Sequence, residues 1–137
     1  MILIGIDPDT KASGVALYNK EIKLLELYNF PFFKLYDFLK QKDIRNVKVI
    51  LEAGWLNKGN WHTGGSSKTA ATAIGNKTGA NHEAGKKIEE MLQYLNIPYE
   101  LRKPTTKKVD SKFFEKLTGI KRSNQDARDA ALLVIGY

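Results

Sequence analysis

Cysteine is absent from this chain of 137 residues, which excludes a disulfide scaffold, a thiolate zinc site and a cysteine nucleophile together. The two histidines, His62 and His82, do not stand at zinc-ligand spacing. No apolar run approaches the roughly 20 residues that cross a bilayer, and the apolar start Met1 to Ile6 runs straight into Asp7 without a basic leader. These absences predict a soluble, cytoplasmic protein. Acids are in deficit too: 15 Asp and Glu face 22 Lys and Arg, leaving a net charge of +7. A polyanion is the partner such a surface suits, although a basic surface also simply keeps a small protein soluble. Between Arg102 and Arg122 stand eight cations with only Asp110 and Glu115 among them, so the excess is concentrated near the C-terminus.

What is present is an ordinary globular mixture, 42% hydrophobic and 27% charged, at a length that suits one domain, 1–137, with no separate cofactor domain. Met1 to Ile6 reads as a strand covered on both faces, and Ser13 to Tyr18 and Ile22 to Tyr28 as two more in an antiparallel meander. Pro31 opens a helix through Phe32, Leu35, Tyr36 and Leu39. Val47 to Leu51 is the next strand. From Ala53 to about Gly79 the glycine, serine and threonine content predicts a long segment that is either a functional loop or disordered, unless Thr69 to Ile74 forms a short helix. Ala84, Ile88, Met91, Leu92 and Leu95 make an amphipathic helix, Pro98 to Leu101 a last strand, and Ser111 to Leu117 a helix stopping near Gly119. A final helix starts near Ser123 or Asn124 and runs to Ile135. Three antiparallel strands followed by strands alternating with helices predict an α/β fold with a mixed five-stranded sheet flanked by helices.

Four acids stand out by position. Asp7 ends the first apolar strand before Pro8, and Glu52 ends the strand Val47 to Leu51. Acids are seldom buried without partners, and a salt bridge or a helix cap would account for either one singly. Asp126 and Asp129 share one face of the last helix. Asp126 alone is a weak signal, because acids favour a first helical turn and Ser123 with Asp126 has capping-box spacing. If that helix lies on the sheet, its carboxylates meet those at the strand ends. Like charges so close oppose folding unless cations lie between them. Hard oxygen ligands without Cys or paired His favour Mg²⁺ or Mn²⁺, and two such ions roughly 4 Å apart suit phosphodiester hydrolysis.

With these residues in view, the chain resembles the RuvC-like Holliday junction resolvases of the ribonuclease H-like superfamily. The resemblance rests on Ile4-Gly-Ile-Asp-Pro-Asp-Thr-Lys-Ala-Ser-Gly-Val-Ala, on the strand-ending Glu52 and on Asp126-Ala-Arg-Asp129-Ala-Ala-Leu. It implies a ribonuclease H-like fold and a homodimer that cuts branched DNA, above all Holliday junctions. It also implies two Mg²⁺ ions per site, with Mn²⁺ as substitute, held by Asp7, Glu52, Asp126 and Asp129. Asp7 is expected to bridge both ions, with Glu52 chiefly on one and Asp126 and Asp129 on the other.

The same resemblance implies that an aromatic soon after the second acid helps open the junction, and Trp55 stands three residues beyond Glu52; the alternative is a ring folded back on the core. It also implies an active-site lysine after the last strand, for which Lys107 is preferred over Lys108. Asp9, where bacterial members carry Gly, and the long glycine-rich loop are more similar to a phage or mobile-element branch, which would act in the host cytoplasm. Lys58, Lys68 and Lys77 in the loop, beside Trp61, and Lys107, Lys108, Lys112 and Lys116 further on are candidate DNA contacts. His62 and His82 read as solvated side chains. Gly64 to Lys68 lacks the spacing of a phosphate-binding loop, so no nucleotide cofactor is expected. A noncatalytic nucleic-acid-binding module is the alternative; an actin-like ATPase fragment is a third, for which the chain is too short to hold two lobes.

Overall fold

The structure, a computed structural model, describes residues 1–57, 68–105 and 107–137, with 68–75 described as backbone only. The elements run β1 (Ile2–Asp7), β2 (Ser13–Asn19), β3 (Leu24–Phe30), α1 (Phe32–Lys40), β4 (Val47–Glu52), a 3-10 turn (Gly54–Leu56), α2 (Lys68–Tyr94), β5 (Tyr99–Arg102), α3 (Ser111–Thr118) and α4 (Gln125–Ile135). One five-stranded sheet has the order β3-β2-β1-β4-β5. The β1-β2 and β2-β3 pairs are antiparallel, as short links require; β4 lies parallel to β1 and β5 parallel to β4.

β1 is central because both of its faces are apolar. Ile4 and Ile6 point into a core with Val15, Val49, Leu51 and Leu92, closed by α1 and α2. Leu3, on the other face, joins Ala16, Ile50, Phe114, Ala130 and Val134 under α3 and α4. Burying such side chains supplies ~1.5–3 kcal/mol each, so the sheet is clamped from both sides.

Among the boundaries that differ from expectation, three have local reasons. The second hairpin strand starts at Leu24 rather than Ile22. Asn19 Oδ1 accepts the Glu21 N–H at 3.1 Å, Lys23 takes the left-handed φ of 54°, and Ile22 is left exposed in the turn. Pro31 is the residue before α1 rather than its first member. The third difference is larger. The expected loop does not reach Gly79, because α2 is already helical at Lys68; Ala70, Ala71 and Ala73 are strong helix formers that offset the intervening threonines and glycines. α3 stops, as expected, at Gly119 in the left-handed conformation. The cap of α4 is Asn124, whose Oδ1 accepts the Ala127 N–H at 2.9 Å; Ser123 instead receives a hydrogen bond from Arg128. Among the described residues, no helix is long and apolar enough to cross a membrane.

Candidate active site

Sheet geometry brings the first two acids together. In the parallel β1-β4 pair Ile6 is opposite Leu51, so Asp7 and Glu52 follow as neighbours at the C-terminal edge. Side chains alternate along a strand, which places Asp7 in line with Leu3, and Glu52 in line with Ile50, on the face that α4 covers.

α4 reaches that edge because two strand glycines let its backbone touch the sheet. A Cβ on Gly5 would lie 2.1 Å from the Ala130 carbonyl oxygen, and one on Gly14 would lie 2.1 Å from that of Asp126. Gly14 is the antiparallel partner of Asp7. The helix is therefore seated with its first turn beside the carboxylate that ends β1. Sequence reasoning singled out neither glycine, though a glycine inside a strand is the recognised mark of close backbone approach.

Asp7, Asp126 and Asp129 each present a carboxylate oxygen within 4.8 Å of the others. Glu52, beside Asp7 at the ends of neighbouring strands, adds a fourth carboxylate whose charge acts on Asp7. Burial, then the charges of Glu52, Asp126 and Asp129, push Asp7 from its ordinary 3.8 up to about 9. Burial also raises Glu52, with Lys108 pulling it down and Asp129 pushing it up, and burial together with the charge of Asp9 raises Asp126. Asp129 is only 9% exposed and is fixed from two sides. Gln125 Nε2 donates to its Oδ1 at 2.8 Å and Lys108 Nζ to its Oδ2 at 2.7 Å.

The lysine on the carboxylates is thus Lys108, not the preferred Lys107, which lines the adjoining cleft. Burial works against the Lys108 charge, but Asp129, Glu52 and Asp7 outweigh it, so its pKa rises. The cluster as four bare carboxylates is unfavourable, and all its donors are hard oxygens. This donor set fits hard divalent cations.

Two clefts flank the cluster and share Glu52. One, of about 170 Å³, is lined by Asp7, Pro8, Trp55, Thr78, Asn81 and His82 among others. Trp55 is half-buried here: a Cβ on Gly85 of α2 would meet its Cζ3 at 2.4 Å, so the ring is seated on that helix while still facing the cleft. His82 was expected near the start of its helix and solvated. It lies instead within α2, packed over Gly54 and facing the carboxylate side. The second cleft, of about 100 Å³, includes Arg102, Lys107, Lys108 and Asp129.

Lys77 lies exposed on α2, not in a loop, and Lys112 and Lys116 lie exposed on α3. Lys58, Trp61, His62 and the Gly64 to Ser67 part of the glycine run lie outside the described residues, as does the side chain of Lys68.

No family model and no curated protein matches the chain. Among solved structures, T. thermophilus RuvC in complex with Holliday junction substrate is similar over 100% of this chain and 94% of that one, with a TM-score of 0.55 and 15% identity. The likeness is one of fold. Sheet order, flanking helices and this match together give the chain the ribonuclease H-like fold of RuvC.

Proposed function

We propose that this protein is a metal-dependent, structure-selective endodeoxyribonuclease acting on branched DNA, with Holliday junctions as the foremost substrate. The observation that carries the reading is the convergence of Asp7, Asp126 and Asp129, with Glu52 beside them, from three separate elements onto one sheet edge. A binding module that does no chemistry has no use for a carboxylate group that opposes its own folding.

Asp7, Glu52, Asp126 and Asp129 would hold two Mg²⁺ or Mn²⁺ ions. When bound, such ions supply Lewis acidity and a hydroxide nucleophile near neutral pH. The chain's own groups do the rest. Gln125 and Lys108 hold the Asp129 carboxylate in one orientation. Lys108 also places a positive charge at the rim, where negative charge grows on a phosphodiester under attack. Trp55 offers a ring face at the opposite cleft for a base unpaired at a branch. The surrounding lysines would neutralise backbone phosphates.

A second copy belongs to this proposal. Phe33 is 79% exposed and Tyr94 75%, and together with Phe32, Tyr36 and Met91 they border a groove of about 670 Å³ between α1 and α2. An apolar surface of this kind suits a subunit contact. The phage or mobile-element branch rests on Asp9 and on the glycine-rich segment after Glu52.

The test is to incubate the protein with Mg²⁺ or Mn²⁺ and labelled four-way junction, fork, flap, linear duplex and RNA–DNA hybrid. Symmetric paired nicks confined to the junction are the expected result. Indiscriminate cutting would overturn junction selectivity, and no cutting with either metal would overturn the nuclease reading.

A further inference from the structure

Beyond the acidic cluster, the described surface carries an aromatic ring that packing does not explain. Phe113 on α3 is 58% exposed, whereas its neighbour Phe114 is fully buried in the core beneath α3 and α4. Phe114 anchors the helix, so Phe113 is turned out by a helix that is already docked. Phe113 borders a hollow of about 420 Å³ whose other walls are Lys107, Lys108, Val109 and Asp110. Asp110 is engaged as the α3 cap, its Oδ1 accepting the Phe113 N–H at 2.8 Å. Lys107 and Lys108 outnumber Asp110, so the hollow is net positive, with Lys108 also paired to Asp129. Lys112 and Lys116 add two exposed cations on the same helix.

This hollow is continuous with the proposed active site. Lys107 and Lys108 line both it and the cleft that contains Glu52 and Asp129, and Lys108 Nζ sits on Asp129. A path thus leads from the carboxylates, over two lysines, to an exposed ring, on the side away from Trp55. Cations spaced along a groove with an aromatic face at its end are the combination that holds single-stranded nucleic acid: phosphates meet the ammonium groups and a base lies on the ring.

We infer that Phe113 is a stacking platform for a nucleobase of the cleaved DNA strand, one that leaves the branch on the Lys107–Lys108 side of the carboxylates. This inference rests on the nuclease reading for its substrate. The protein so grips an unpaired strand at two points, Trp55 and Phe113, with the scissile phosphate between them.

The test uses the full chain carrying Asp7→Asn, which removes cutting and leaves binding to be measured. Phe113→Ala, Phe113→Leu and Phe113→Tyr are compared in that background. The probes are a four-way junction and a short single strand, each carrying 2-aminopurine. Loss of the ring should weaken binding by about 5- to 150-fold and abolish quenching of the fluorophore; Leu should fail like Ala, and Tyr should restore both signals. Unchanged binding in the Ala variant overturns the inference, and rescue by Leu does the same by showing a merely apolar contact. A change in sedimentation caused by Phe113→Ala, without loss of DNA binding, would assign the ring to a protein partner instead. The outcomes separate from those of the nuclease reading. A protein that cuts junctions yet ignores Phe113 loses only this inference; one that never cuts but stacks through Phe113 loses only the nuclease reading; one that binds no DNA loses both.

Discussion

Without divalent ions, the burial of Asp7 and the charges crowded around it should make the protein less stable as pH rises. Folding raises Asp7 from 3.8 to about 9, so between those values the folded state holds a proton that the unfolded chain releases. Stability supported by the neutral carboxyl is complete below about pH 4 and is lost as pH climbs toward 9. At ~1.4 kcal/mol per tenfold change in proton affinity the upper limit is about 7 kcal/mol. Because the carboxylates of Asp7, Glu52 and Asp126 interact and so titrate together, a portion of about 2–4 kcal/mol is expected to appear for Asp7 itself. For a chain of this length that is a fall in Tm of roughly 6–12 °C between pH 5 and pH 8.5.

Differential scanning calorimetry in chelator, compared with Asp7→Asn, isolates the effect. The Asn variant should match the wild type near pH 5 and melt above it by the same margin at pH 8.5. Manganese at about 100 times its Kd should return about 2.7 kcal/mol to the wild type and nothing comparable to the variant. A metal-free Tm that is flat or rises from pH 5 to pH 8.5 would refute the electrostatic argument.

Lys108→Met should lower junction cleavage by about 100-fold, the loss typical of removing one charge-stabilising donor, while Lys107→Met should alter it only a few-fold; single-turnover kinetics decide between them. Gly14→Ala, whose Cβ would lie 2.1 Å from the Asp126 carbonyl oxygen, should cost about 3 kcal/mol or more in urea denaturation and weaken manganese binding measured by calorimetry. Trp55→Ala removes a half-buried ring that lies on Gly85, so it should cost about 1–3 kcal/mol and reduce junction cleavage more than duplex binding, as gel shift and cleavage run in parallel would show.

The β1 and β4 strands, and the acids that end them, were legible because a run of apolar residues closed by a carboxylate is a local pattern. The Asp126–Asp129 pair was legible from its three-residue spacing on one face of the last helix. The choice between Lys107 and Lys108 was not local: which side chain reaches Asp129 depends on how residues 103–110 cross from β5 to α3, and adjacent positions there look alike in sequence. The start of α2 is hidden in the sequence because glycine and threonine favour loops, whereas the alanines among them sustain helix and the C-terminal half of α2 is anchored on the sheet through Ile88, Met91 and Leu92. The role of Gly5 and Gly14 is not legible in the sequence, since it lies in a partner more than a hundred residues away.

The two backbone contacts between α4 and the sheet tie the carboxylate cluster to the folding core. A lesion at Ala130, deep in the interior, would displace Asp126 and Asp129, two of the proposed metal ligands, at once. Loss of metal affinity and loss of tertiary structure should therefore occur in the same cooperative step. Selection for a sturdier fold and selection on the geometry of the carboxylate cluster would then act on the same few atoms.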